Sequence, residues 1–220
     1  MTASRNAALT ARRSRQAPVL PRDFYARDTE IVARELLGAV LECRTPDGVA
    51  SGRIVETEAY LGEHDLACHA AAGLTSRTAP LYGPPGIAYV YFIYGMYWCF
   101  NAVTRQKDHP SAVLVRAVEP LDGEALMRAR RPSARRAIDL TNGPGKLCLA
   151  LGIDGTMNWH PLQRPPLRIR AGEPVPDAAV TVTPRIGITQ SAEWPLRWFI
   201  TESPWVSRTP AHFPRRPHRP

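Results

Sequence analysis

The chain has 220 residues, 44% of them hydrophobic, and a net charge of +8, enough to bury one full core and better suited to one domain than to two. No run of eighteen apolar residues occurs, which excludes a membrane-spanning helix. Cys43, Cys68, Cys99 and Cys148 are scattered without C-x-x-C pairs, and His64 and His69 have no cysteine pair nearby, so a reduced, cytoplasmic chain with no metal and no cofactor is expected.

In chain order, residues 1–22 hold five arginines and no acid, and residues 208–220 hold four arginines and no acid. The middle is therefore almost neutral. Both ends are unpatterned and read as basic, disordered arms, either free tails or contacts for a polyanion. An Arg- and Ser-containing start also fits an organelle transit peptide, a reading ranked below a plain basic arm. The expected domain occupies residues 23–207, followed by the tail.

"DTEIVARELLG" predicts a helix capped by Asp28 or Thr29 and stopped at Gly38. Strands are expected at 39–44, 51–60, 87–94, 97–104 and 111–118, the last with Arg116 inside an apolar run. In "RIVETEAYLGEHDLACH", strand alternation puts Glu56, Glu58 and Tyr60 on one face and Val55, Thr57 and Ala59 on the other. Two carboxylates and a phenol make either a solvated face or the lining of a polar site. A carboxylate beside aromatic rings can take a proton from water and stabilise a positive, oxocarbenium-like sugar, so glycosyl transfer is a candidate.

"AYVYFIYGMYWCFN" carries seven aromatic rings in fourteen positions. Its alternation breaks at Tyr94-Gly95, predicting a hairpin that turns there, with Tyr94 at the tip and Met96 beyond the glycine. Core packing accounts for Val90, Phe92, Trp98 and Phe100; a large ring at a turn tip is what it explains least. "PLDGEALMRARRP" predicts a helix between Pro120 and Pro132, with Arg128, Arg130 and Arg131 suiting its C-terminus. "TNGPGKLCLALG" is no Walker loop, since Leu140 and Leu147 stand where Gly and Ser or Thr belong. It predicts a helix with Gly143 near the N-cap, Pro144 at its first position and Lys146 in its first turn, where a cation makes sense if an anion such as a DNA phosphate sits between it and the amides. Strands at "PRIGI" and "LRWFI" complete an α+β domain, in which hairpin-linked strands form a mainly antiparallel sheet with flanking helices.

"VARELLG", "GRIVETEAYLG" followed by "CH", "GPPGIAYVYFIYGMYWCFN", "VLVRAVEP", "NGPGKLC", "PRIGI" and "SPWVSR", in this order over residues 23–208, together resemble the alkyladenine (3-methyladenine) DNA glycosylase family. The resemblance implies a curved antiparallel sheet with a protruding β-hairpin, and a cytoplasmic monomer at the bacterial nucleoid that flips an alkylated or deaminated purine out of damaged double-stranded DNA and hydrolyses its N-glycosidic bond. The implied roles are Glu58 as general base, with Arg116 and the carbonyl of Ile186 holding the attacking water. Tyr60, Tyr91 and His69 would sandwich the flipped base, and the Ala67 carbonyl and His69 would read its edge. Asn101 would crowd a guanine amino group, and Tyr94 would plug the gap in the duplex. Met96, Gly143 and Lys146 would contact DNA.

The chain departs from the family pattern at Thr78, where Asn is expected after Arg77, and at Tyr82, where Phe is usual. Hydrolysis also follows from the residues, because a lyase needs an amine nucleophile and the chain has two lysines, Lys107 and Lys146. The competing readings are a non-catalytic nucleic-acid-binding module whose rings stack unpaired bases and a hydrolase of small nucleosides or glycosides. Glu58 has no use in the first. The arginines of 128–136, the tip ring and the basic arms have none in the second.

Overall fold

The computed structural model describes residues 17–207. The elements, in order, are α1 (Arg22–Tyr25), α2 (Thr29–Glu35), β1 (Val40–Thr45), β2 (Gly48–Tyr60), β3 (Ala88–Ile93), β4 (Tyr97–Val103), β5 (Ala112–Asp122), α3 (Glu124–Arg130), α4 (Pro144–Leu151), β6 (Leu167–Arg170), β7 (Val180–Thr183) and β8 (Arg197–Ile200). All strand pairs are antiparallel, in the order β3-β4-β5-β2-β1-β6, with β8 also on β2 and β7 on β8. One open sheet with four α-helices among the described residues is the α+β arrangement that the sequence predicts.

Local signals set most boundaries. Asp28 caps α2 by accepting from the Glu30 amide at 3.0 Å, and Gly38 leaves the helix with φ +89°, where a Cβ would lie 2.2 Å from the Glu173 carbonyl. Val32 and Ala33 of α2, Leu36 at its C-terminal cap, and Leu147, Cys148 and Leu151 of α4 are buried in one cluster with Val113, Val115 and Phe100 of the sheet. Pro120 belongs to β5 rather than to a helix entry, and α3 begins only after Gly123.

Of the expected N-terminal arm over 1–22, residues 1–16 lie outside the described residues, as does the tail 208–220. From Ala17 the chain is attached: the Ala17 carbonyl accepts from Arg170 Nη1 at 2.8 Å, Val19 bridges Arg170, and the Leu20 amide donates to the Ile169 carbonyl at 2.9 Å. Two expectations need correction. "PRIGI" is a loop after β7, because Pro184 has no amide for a ladder and Gly187 takes φ +76°. Phe92 is 43% exposed, resting on Trp98 with ring centroids 4.7 Å apart; it lies where β3 runs out beyond the core toward the hairpin tip, while Val90 and Phe100 are core.

The thirteen-residue β2 organises the molecule. Its first half pairs with β1 as far as Arg53, and its second half pairs with β8 from Glu56 to Glu58, while β5 follows its other edge from Ser51 to Tyr60. Where the neighbour changes, the register with β5 slips twice: Val55 on β2 and Arg116 on β5 have no opposite residue. Bulges of this kind bend a strand and re-aim its side chains.

Candidate active site

The slipped register puts charge inside the protein. Glu56 and Glu58 are both completely buried, and so is Arg197, which stands opposite Glu58 on β8. The face carrying the two carboxylates is therefore not solvated. Burying carboxylates is unfavourable unless each is paired and hydrogen-bonded, and here each is. Glu58 Oε2 accepts from Arg116 Nη1 and from the Tyr60 hydroxyl, both at 3.0 Å, and its Oε1 accepts from the Ile186 amide at 2.8 Å. Ile186, expected to offer its carbonyl, thus reaches Glu58 with its N–H. Burial works against the Arg116 guanidinium, but Glu58 and then Glu56 more than offset it and raise its pKa. Burial, followed by the Glu58 charge, keeps the Tyr60 phenol protonated well above the usual tyrosine range.

The loop that delivers Ile186 is held by a second buried ion pair. Arg185 donates from Nη1 and Nη2 to Asp65 at 2.5 and 2.8 Å, both side chains being fully buried, and its guanidinium stacks 4.7 Å from the centre of the Tyr60 ring. A bidentate pair of this type fixes orientation as well as charge. Pulling Arg185 inward is a further reason why "PRIGI" is not a strand.

In front of Glu58 opens a cavity of about 350 Å³ lined by Tyr60, Ala67, His69, Tyr91, Asn101 and Arg116, among others, a size and a mix of apolar walls and few polar groups suited to a small planar ligand. Every residue expected to hold the flipped base is here. His69 and Tyr91 meet edge to face at 4.5 Å, His69 Nδ1 shares a 2.8 Å hydrogen bond with the Tyr89 hydroxyl, and Asn101 Nδ2 donates to the Tyr89 carbonyl at 3.2 Å. Ala67 is set by its amide, which donates to Asp65 at 3.1 Å. Burial, and secondarily Arg77, push the pKa of His69 below the ordinary histidine value, so at neutral pH the ring is an uncharged wall.

The β3–β4 hairpin turns at Tyr94 and Gly95, both with positive φ (52° and 65°). Only glycine takes this conformation freely, and a tyrosine there is a strained exception. Its ring is 83% exposed and Met96 is 63% exposed, an apolar point beside the cavity mouth. Tyr97, across the hairpin, lies so close to Gly145 in the first turn of α4 that a Cβ there would come within 2.9 Å of it. Gly143 caps this helix and Pro144 lines the cavity. Lys146 Nζ donates to Asn142 Oδ1 at 2.7 Å, so the first-turn cation has a protein partner. Other arginines of the expected basic cluster also have local partners: Arg128 with Glu124 at 2.7 Å, Arg136 with Asp139 at 2.9 Å, and Arg130 with Asp47 at 3.4 Å.

The two departures from the family pattern have structural roles. Thr78 is buried and ties its loop together, donating to the Gly73 carbonyl at 2.7 Å and accepting from the Thr75 amide at 2.8 Å. The Tyr82 hydroxyl donates to Glu63 at 2.7 Å. Arg77 stands over the Tyr91 ring at 5.7 Å.

Sequence reading missed Asp65, Arg185, Arg197 and Ser207. For Arg197 a signal existed, the same one that marked Arg116: an arginine inside an apolar run, "PLRWFI", has to find a buried carboxylate. Asp65, Arg185 and Ser207 sit in loops with no such pattern.

The family model for methylpurine-DNA glycosylase (MPG) matches residues 23–204. Relatives include a Myxococcus xanthus protein, 50% identical over 201 residues covering 90% of this chain and 98% of its own. A Methanocella arvoryzae protein is 47% identical over 195 residues (87% and 96%), and a Legionella pneumophila protein is 45% identical over 195 residues (86% and 98%). All three are provisionally named 3-methyladenine DNA glycosylases.

Proposed function

The chain belongs to the methylpurine-DNA glycosylase family, DNA glycosylases that hydrolyse N-glycosyl bonds, and from that premise we propose that it flips an alkylated or deaminated purine out of duplex DNA and leaves an abasic site. The observation that carries this reading is a fully buried carboxylate, Glu58, held by Arg116, Tyr60 and the Ile186 amide directly behind an aromatic cavity.

The chemistry follows from that placement. A carboxylate has about four acceptor positions, and three on Glu58 face fixed donors, which leaves Oε1 able to accept one more hydrogen bond, from the attacking water. As water attacks C1′ its proton passes to Glu58, and the electron pair of the C1′–N bond leaves with the base. The charge of Glu58 also stabilises the positive character that develops on the sugar. For a cationic alkylpurine the departing pair neutralises the base, so this lesion class needs no general acid.

Tyr60, Tyr91 and His69 supply the ring faces and edges for an electron-poor purine, Asn101 is fixed where it can crowd an exocyclic amino group, and Tyr94 fills the space that the extruded nucleotide vacates. Met96 and the start of α4 at Gly143 and Lys146 flank the plug as DNA contacts. The protein acts as a monomer on damaged duplex DNA.

The test is to incubate the protein with duplexes carrying 7-methylguanine, hypoxanthine or ethenoadenine, and with alkylated DNA containing 3-methyladenine, and to assay alkali-labile sites. At least one lesion should yield abasic sites without strand scission before alkali. Absence of excision from every substrate would overturn the reading.

A further inference from the structure

Glu56 does not line the cavity, yet it is fully buried and held by three hydrogen bonds and two arginines. Its Oε1 accepts from Arg197 Nε at 2.6 Å and from the Ser207 hydroxyl at 2.8 Å and lies 3.3 Å from Arg116 Nε, while its Oε2 accepts from the Ser207 amide at 2.7 Å. Arg116 therefore lies between two carboxylates, Glu56 on one side and Glu58 on the other. We infer that Glu56 is a positioning residue for the reaction, whose negative charge balances the buried arginines that surround Glu58. This inference rests on the proposed role of Glu58.

The charge count among the described residues supports it. Glu56 and Glu58 face Arg116 and Arg197, and the cluster sums to zero. The neighbouring Arg185 is matched by Asp65. The other titratable groups facing Glu58 are Tyr60 on its own strand and Tyr91 and Cys99 on the hairpin, and burial keeps all three in their neutral forms. Burial alone would also raise the Glu56 carboxyl, but Arg116, Arg197 and the two Ser207 hydrogen bonds outweigh it and hold the pKa below the ordinary value. Glu56 is thus charged at neutral pH. Without that charge, one positive charge beside Glu58 is left uncompensated. The base is then weaker, and positive charge on the sugar is opposed.

A residue that only braced β2 against β8 would affect stability and leave the pH dependence alone, so the pH–rate profile separates the two roles. The assay is single-turnover excision of whichever of the four lesions is removed fastest, with wild type, Glu56→Gln, Arg197→Gln and the double variant. Glu56→Gln should move the acid limb to lower pH by about one unit and reduce the plateau rate about tenfold. Arg197→Gln should move the limb to higher pH, and the double variant, neutral again, should return it close to the wild-type position. If one single variant does not fold, the other single and the double still decide. Limbs that coincide with wild type, or that both move the same way, overturn the inference. Glu58→Gln is the control: excision at wild-type rate removes the base assignment itself, whereas an inactive Glu58→Gln with unmoved limbs removes only the role given to Glu56.

Discussion

Replacing Tyr94 with glycine and, separately, with alanine separates the two demands on the hairpin tip. The residue sits at φ +52° with its ring 83% exposed, so the side chain contributes little burial to the fold while the backbone bears a left-handed conformation that costs an L-residue about 1–2 kcal/mol. Glycine removes that strain but regains unfolded-state freedom worth about 0.5–1 kcal/mol. Alanine keeps the strain. Both variants should therefore fold, with urea stabilities within about 1 kcal/mol of wild type and glycine at or above alanine. Both lose the plug. Stacking of one ring against bases is worth about 1–3 kcal/mol, so affinity for a lesion duplex, measured by fluorescence anisotropy in a Glu58→Gln background, should fall by about 5- to 150-fold in both. Stopped-flow traces from a fluorescent base analogue beside the lesion should show the flipped state less populated. Affinity within about twofold of the parent in both variants would refute the plug, and a collapsed urea midpoint would show that the ring holds the fold instead.

Glu58→Gln should retain lesion binding and lose about a hundredfold or more in single-turnover excision; a near wild-type rate is the contrary result. Asp65→Asn leaves the fully buried Arg185 without its counter-charge, a loss of about 3–5 kcal/mol readable as a lower urea midpoint, and an unchanged midpoint would mean that the pair does not hold the loop. Because burial and then Arg77 lower the His69 pKa, the folded protein binds this proton less tightly than the unfolded chain. Stability should be unaffected above the ordinary histidine value and should decline as pH falls below it; NMR should show the ring titrating below free histidine, and His69→Gln should remove this part of the acid sensitivity. Deleting residues 1–16 and 208–220, which lie outside the described residues, should flatten the salt dependence of binding to undamaged DNA by about 0.9 in log–log slope for each phosphate that the arms neutralise, and an unchanged slope would make both arms free tails.

What the sequence determined by itself is local. The Asp28 cap and Gly38 stop of α2, the Gly143-Pro144 entry to α4 and the turn at Tyr94-Gly95 are each set by near neighbours in the chain, through side chains that satisfy end groups or backbones that tolerate positive φ. The seven family motifs, read in order, carried the site residues, and all of those assigned to the base are found around one cavity. The tertiary structure decided the environment of the charges. Alternation in β2 puts Glu56 and Glu58 on one face equally well whether that face meets water or protein, and the choice was made by the register slips at Val55 and Arg116 and by β8 replacing β1 as neighbour. Pro184 and Gly187 could have warned against a strand at "PRIGI", but not that Arg185 would turn inward to an acid 120 residues earlier. The partners of these buried charges, Glu56 with Arg197 and Ser207, Asp65 with Arg185, are more than a hundred positions apart. Propensity acts over a few residues, whereas the desolvation of a charge depends on every element that closes over it, and only the folded chain brings those elements together.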